Sequence, residues 1–175
     1  MKRLLLHICC GVCAFWSIKY LIEKGFYVEG FFFNPNIYPK EEYLKRKETA
    51  EKVAQLTKIV IHEGDYQPKL WFEICGEYKD QKEGGERCFL CYRLRLEETF
   101  KLARKLNFDY FLSTLTISPF KNIKKIIEIG NLIGGSYFLP IELNKEDGFK
   151  KTIELAKNYN LYRQNYCGCI YSIRK

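Results

Sequence analysis

The sequence predicts an α/β fold: a Rossmann-like three-layer sandwich with a mainly parallel sheet, in a single domain. Three observations carry this. Short apolar runs alternate with longer amphipathic ones along the chain, which is the pattern of strands joined by crossover helices. A length of 175 residues suits one domain, and the hydrophobic share of 47% is ordinary for a globular protein. No repeat, low-complexity tract or domain linker interrupts the alternation.

Taken in order, Arg3 to Ile8 reads as a buried strand that ends in a Cys/Gly turn. A helix follows from Ala14 to Lys24 and stops at Gly25. Val28 to Phe33 is a second strand, closed by Asn34-Pro35-Asn36. Glu41 to Leu56 is a charged amphipathic helix with Leu44, Ala50, Val53 and Ala54 facing inward. Ile59 to His62 is a short third strand, and a helix from Lys69 to Cys75 leads into the polar stretch Lys79–Glu86. A long helix runs from Cys88 to Leu106, then a strand from Tyr110 to Ser113. Asn122 to Leu132 is a helix, Tyr137 to Leu139 the last strand and Asp147 to Asn158 the last helix. Lys79–Glu86 and Leu161–Lys175 are expected to be the mobile, functional segments.

The net charge of +8, from 29 Lys+Arg against 21 Asp+Glu, favours a polyanionic partner such as RNA. The load of 13 Tyr and 13 Phe adds faces on which bases stack. The apolar start is broken by His7 and no apolar stretch is long enough for a bilayer, so the expected setting is a reducing cytoplasm without membrane association. No Walker-type lysine loop or GxGxxG supports ATP or nicotinamide binding.

The eight cysteines carry the chemical signal. Cys9 and Cys10 are adjacent, Cys10/Cys13 and Cys88/Cys91 have C-x-x-C spacing, and Cys167/Cys169 have C-x-C spacing. Close spacings suit metal and redox sites better than staples across long loops. Cys88 and Cys91 open a helix, whose free N–H groups favour thiolate; the pair suits an iron–sulfur cluster, zinc or a dithiol. Adjacent Cys9 and Cys10 crowd a single zinc ion, whereas a 4Fe-4S cubane spreads its ligand positions, and Gly11 eases the turn that brings both to one centre. Against this, Cys10 and Cys13 could be packed core thiols. Cys167 and Cys169 flank a single glycine, so a disulfide there is strained and reduces easily, which suits an electron relay. Cys75 reads as an inert buried thiol and His7 as a hydrogen-bonded core residue. Ser113 to Ser118, followed by Lys121 and Asn122, reads equally as a phosphate cradle or as helix capping.

Several segments together resemble the cobalamin-independent epoxyqueuosine reductases, the QueH family. They are Leu5-Leu6-His7-Ile8-Cys9-Cys10-Gly11-Val12-Cys13, Asn34-Pro35-Asn36-Ile37-Tyr38-Pro39 with Glu42-Tyr43, and Arg87-Cys88-Phe89-Leu90-Cys91-Tyr92-Arg93-Leu94-Arg95. Thr114-Leu115-Thr116-Ile117-Ser118-Pro119-Phe120-Lys121-Asn122, Asp147-Gly148-Phe149 and Tyr162-Arg163-Gln164-Asn165-Tyr166-Cys167-Gly168-Cys169 continue the likeness. The family pattern has Pro where this chain has Val12.

The resemblance implies reduction of epoxyqueuosine to queuosine at the wobble base of tRNA, with the epoxide oxygen leaving as water. It implies a 4Fe-4S cluster on Cys9, Cys10, Cys88 and Cys91, and a dithiol–disulfide cycle of Cys167 and Cys169 on a C-terminal tail of about residues 161–175. Cys13 belongs to the likeness with two roles open, a ligand of the cluster or a ligand of an additional iron ion. The implied partners are tRNA carrying epoxyqueuosine in its anticodon loop and an electron donor of unidentified kind. The competing expectations are a cluster-dependent tRNA thiolase, which would need an ATP loop, and a non-catalytic zinc-stabilised RNA-binding module.

Overall fold

The computed structural model describes residues 1–173. Four parallel strands form one sheet: β1 (Arg3–His7), β2 (Tyr27–Phe32), β3 (Ile61–Glu63) and β4 (Tyr110–Ser113), in the spatial order β3-β2-β1-β4. β1 lies between β2 and β4, with His7 in register with Phe31 on one side and Ser113 on the other. Leu4, Leu5 and Leu6 are fully buried, the unbroken apolar run required of a parallel strand covered on both faces.

Among the described residues six α-helices cover the sheet: α1 (Gly11–Glu23), α2 (Lys40–Thr57), α3 (Pro68–Cys75), α4 (Glu86–Lys105), α5 (Ile123–Gly134) and α6 (Gly148–Asn158). α1 packs between α2 and α6, while α4 packs against α3 and α5. These two groups are the outer layers of the expected sandwich. No helix among the described residues is long and apolar enough to cross a membrane.

The departures from expectation have local causes. Tyr137–Leu139 is not a strand. Gly135–Tyr137 is a 3-10 turn, and only Phe138 bridges to Phe111. Pro140 lacks the N–H that would extend the ladder, and Ile141 N–H turns back to the Leu139 carbonyl at 2.8 Å. Leu44 is 49% exposed rather than inward. The buried face of α2 runs through Tyr43, Arg46, Ala50 and Val53, a helical stripe that Leu44 misses.

The turn after β1 is also built differently. Cys10 is the N-cap of α1 in extended conformation, its sulfur accepting from the Cys13 N–H. Gly11 is needed for space instead of backbone freedom, since a Cβ there would stand 2.6 Å from the Thr49 backbone of α2. Val12 sits in the first turn of α1, where an N–H has no intrahelical partner, so valine and proline leave this backbone alike.

Gly11→Ala forces α1 and α2 apart at a backbone contact, and overpacking of this kind costs about 1–3 kcal/mol. The expected outcome is an earlier midpoint in urea unfolding with an unchanged slope.

Candidate metal and redox site

The strand order reverses direction between β1 and β4, and in open parallel sheets sites form beyond the strand ends at such a point. Here the edge is fixed by His7. Its Nε2 meets the Phe33 carbonyl at 2.9 Å and its Nδ1 meets Ser113 Oγ at 2.9 Å. A carbonyl only accepts, so Nε2 carries the proton and Nδ1 accepts from Ser113. Burial first, and then the nearby Arg95 cation, lower the His7 pKa to about 4, which keeps the ring neutral. His7 is a structural brace, as the sequence suggested.

Just beyond this edge, the sulfurs of Cys9, Cys10 and Cys13 lie within 4.8 Å of one another. Thr114 locks the trio to β4: its hydroxyl accepts from the Cys9 N–H at 3.0 Å and donates to the Cys9 sulfur at 3.2 Å. The thiols of Cys13 and Cys9 and the Cys13 N–H all serve Cys10, so a single thiolate is favoured there while Cys9 and Cys13 hold their protons. The 3-10 turn Thr114–Ile117 is wholly buried, and Thr116 Oγ1 donates to the Ser113 carbonyl and accepts from Leu143 N–H. Ser113 Oγ caps this turn by accepting from the Leu115 N–H, so the hydroxyls of Ser113, Thr114 and Thr116 are all engaged within the protein.

Cys88 and Cys91, on the first turns of α4, are 8% and 7% exposed. The Gly84 N–H donates to the Cys88 sulfur at 3.2 Å. The helix start does not make these free thiols acidic, because burial outweighs the N–H groups and pushes both upward. Arg87 holds the preceding loop closed by donating to the carbonyls of Tyr78, Lys79 and Gln81. Cys75, fully buried, is raised to about 12 by burial and is inert, as expected.

The C-terminal segment is packed down across the site. Arg46 is 2% exposed, pairs with Glu42 at 2.7 Å and donates to the carbonyls of Cys167 at 2.7 Å and Tyr166 at 3.0 Å. Tyr162 donates to the second Glu42 oxygen at 2.7 Å, and Tyr38 N–H to the Gly168 carbonyl at 2.9 Å. Gly168 has φ +137°, and a Cβ would meet Arg46 Nη1 at 3.0 Å and Asn36 Nδ2 at 3.1 Å. Through residue 173 the tail is therefore an anchored element and not the mobile segment expected; Arg174 and Lys175 lie outside the described residues. Both tail cysteines are free thiols. Cys167 faces a cavity of about 330 Å³ that Cys9, Cys13, Arg95 and Lys121 also line. The Lys121 ammonium donates to the Cys167 sulfur. Burial lowers the Lys121 pKa, but the Cys167 and Tyr92 charges more than offset this, so it stays cationic. Cys169 is buried on the other side of Gly168, beside Cys75 and Cys91.

The donor set is thiol-rich: Cys9, Cys10 and Cys13 form one close group, which Cys88 and Cys91 do not join. Trp71 Nε1 is directed toward Cys91, and Arg95 Nη2 is buried with no acceptor. Orphan donors around sulfur are what anionic thiolate and sulfide acceptors would satisfy.

Residues 4–175 match the family described as "Epoxyqueuosine reductase QueH". This chain belongs to that family. An epoxyqueuosine reductase QueH of Thermotoga maritima is 36% identical over 179 residues, covering 99% of this chain and 91% of the relative. The QueH of Streptococcus pyogenes serotype M1 is 34% identical over 180 residues, covering 98% and 70%. Among solved structures, the U34-tRNA thiolase NcsA from Methanococcus maripaludis with its 4Fe-4S cluster superposes with a TM-score of 0.58 at 14% identity. It covers 99% of this chain and 61% of the thiolase. That likeness establishes the α/β fold alone. Thr114, Arg46 and Trp71 were not singled out from the sequence as functional. Their roles rest on contacts between distant segments, although Thr114 lay inside a family segment.

Arg46→Met leaves Glu42 buried without its cation and frees two tail carbonyls, a loss of about 3 kcal/mol or more. Chymotrypsin is expected to cut among Tyr162, Tyr166 and Tyr171 far faster in the variant, read by mass spectrometry of the released peptides.

Proposed function

We propose that this protein reduces epoxyqueuosine to queuosine in the anticodon loop of tRNA. The observation that carries the reading is the family match over residues 4–175, joined to a cavity lined by Cys9, Cys13 and Cys167 together with Arg95 and Lys121. We propose Cys9, Cys10, Cys88 and Cys91 as the holders of a 4Fe-4S cluster, with Cys13 available to an additional iron ion. When bound, the cluster supplies one-electron transfer from an external donor.

The residues of the chain supply binding and the electron pair. The cavity is within the size range of ligand pockets, roughly 300–1,000 Å³. Asn36 lines it and is 2% exposed, and its buried Oδ1 lacks a partner, which suits it to accept from a substrate N–H or O–H. Phe120, 77% exposed on the cavity rim, offers a face to an unstacked base.

Cys167, open to the cavity beside Lys121, is the thiol that meets substrate; Cys169, buried behind Gly168, completes the pair. The net step balances: the two thiols become one S–S bond and yield two electrons and two protons. The epoxide's two C–O bonds break, the electron pair forms C=C, and the oxygen leaves with both protons as water. Lys121 holds a proton at the cavity wall next to Cys167 throughout. Residues 161–173 thus act as the redox arm of a single domain, working in a reducing cytoplasm.

The test is anaerobic incubation of iron-loaded protein with tRNA bearing epoxyqueuosine, followed by nucleoside mass spectrometry. Formation of queuosine bears out the reading, and unchanged epoxyqueuosine under a low-potential reductant rejects it. Cys167→Ser and Cys169→Ser are each expected to retain iron and lose turnover by at least 100-fold, on the order of what removal of a reacting group costs; normal rates in both would remove the thiol pair from the reaction. Affinity for tRNA is expected to fall steeply between 50 and 200 mM salt, as released counterions require, checked by filter binding.

A further inference from the structure

Among the buried arginines of the described residues, Arg95 has the weakest set of partners. Arg46 has the Glu42 carboxylate and two carbonyls, and Arg87 has three carbonyls. Arg95 is 3% exposed, yet its contacts are the Cys91 carbonyl at 3.3 Å and Asn34 Oδ1 at 3.5 Å, both at the long limit of a hydrogen bond. Its Nη2 is buried without an acceptor, and no carboxylate pairs with it among the described residues. A guanidinium cannot shed its proton to escape this, and an uncompensated buried charge costs several kcal/mol.

Arg95 lines the cavity that Cys9, Cys13 and Cys167 also line, and its Nε lies against the Cys91 carbonyl, so cysteines of all three sets stand near it. His7, a nearby ring, is neutral and brings no anion. The counter-charge this cation needs is therefore sulfur-borne, and it is complete only when the thiols are held as thiolates around a metal centre.

Resting on the cluster assignment above, we propose that Arg95 is the built-in counter-charge of that centre. Its free Nη2 donates to a cluster-bound sulfur and raises the reduction potential, so that the centre accepts electrons more readily. The physical basis is direct. A fixed cation in a low-dielectric pocket stabilises the state with one more negative charge, and hydrogen bonds to sulfur act in the same direction. Arg95 is thus a positioning residue that acts on substrate only through the sulfurs.

Spectroelectrochemical titration of the anaerobic holoprotein tests this, with R95Q and R95K beside the wild type. R95Q is expected to shift the cluster potential to more negative values. R95K, which keeps charge but loses the planar fork, shifts less, and tRNA affinity is unchanged in both. If R95Q does not fold, wild type against R95K decides, since a negative shift supports the proposal and an unmoved potential overturns it. Unmoved potentials with tenfold weaker tRNA binding would assign Arg95 to the substrate and equally overturn it. A wild-type protein that takes up no iron would overturn the cluster assignment itself, a result distinct from an iron-loaded R95Q with the wild-type potential.

Discussion

The neutral imidazole of His7 is the constraint on which the site depends. It closes the carboxyl edge of the sheet by bonding to the chain just past β2 through the Phe33 carbonyl and to the end of β4 through Ser113, while itself ending β1. A charge on this ring would turn both nitrogens into donors and reverse the Ser113 bond, and burial opposes that. Cys9 follows two residues after His7, and Thr114 directly follows Ser113. The Thr114–Cys9 contacts therefore inherit their register from the brace, and the cysteine trio inherits its position from them.

A second constraint operates on the other wall. The tail carries Cys167 over the cavity only because Arg46 reaches out from α2 to two of its carbonyls and Gly168 leaves room for that guanidinium. Arg46 is held in turn by Glu42 one turn earlier, and Glu42 also holds Tyr162 of the tail. One buried ion pair thus fixes two points of the segment, so its burial serves placement of the thiol as well as stability.

The layers of the fold were legible because parallel strands and crossover helices write their period into the chain; the boundaries of β4 and the buried run of β1 follow from local apolarity. The cysteine sets were legible through their spacing. Leu44 was misjudged because the polar residue Arg46 occupies the buried stripe of α2 for the sake of a distant tail. The end of the Tyr137–Leu139 segment turned on a proline that its apolar pattern conceals. The acidity expected of Cys88 and Cys91 failed for a similar reason: helix position can be read from sequence, but the depth to which packing buries it cannot.

The balance of charge in the cavity bears on what kind of metal site it can be. Arg95 and Lys121 place two cations around the sulfurs, with Glu83 at 4.0 Å from Lys121 at the rim. A lone divalent ion on the three thiolates of the trio would keep a net negative charge and would also gain from such surroundings. A polynuclear centre that remains anionic, and becomes more so on each reduction, gains from every cation and orphan N–H in its wall. Wall charge therefore selects an anionic sulfur-held centre of either kind, and it is the family match over residues 4–175, not the wall, that points to a reductase.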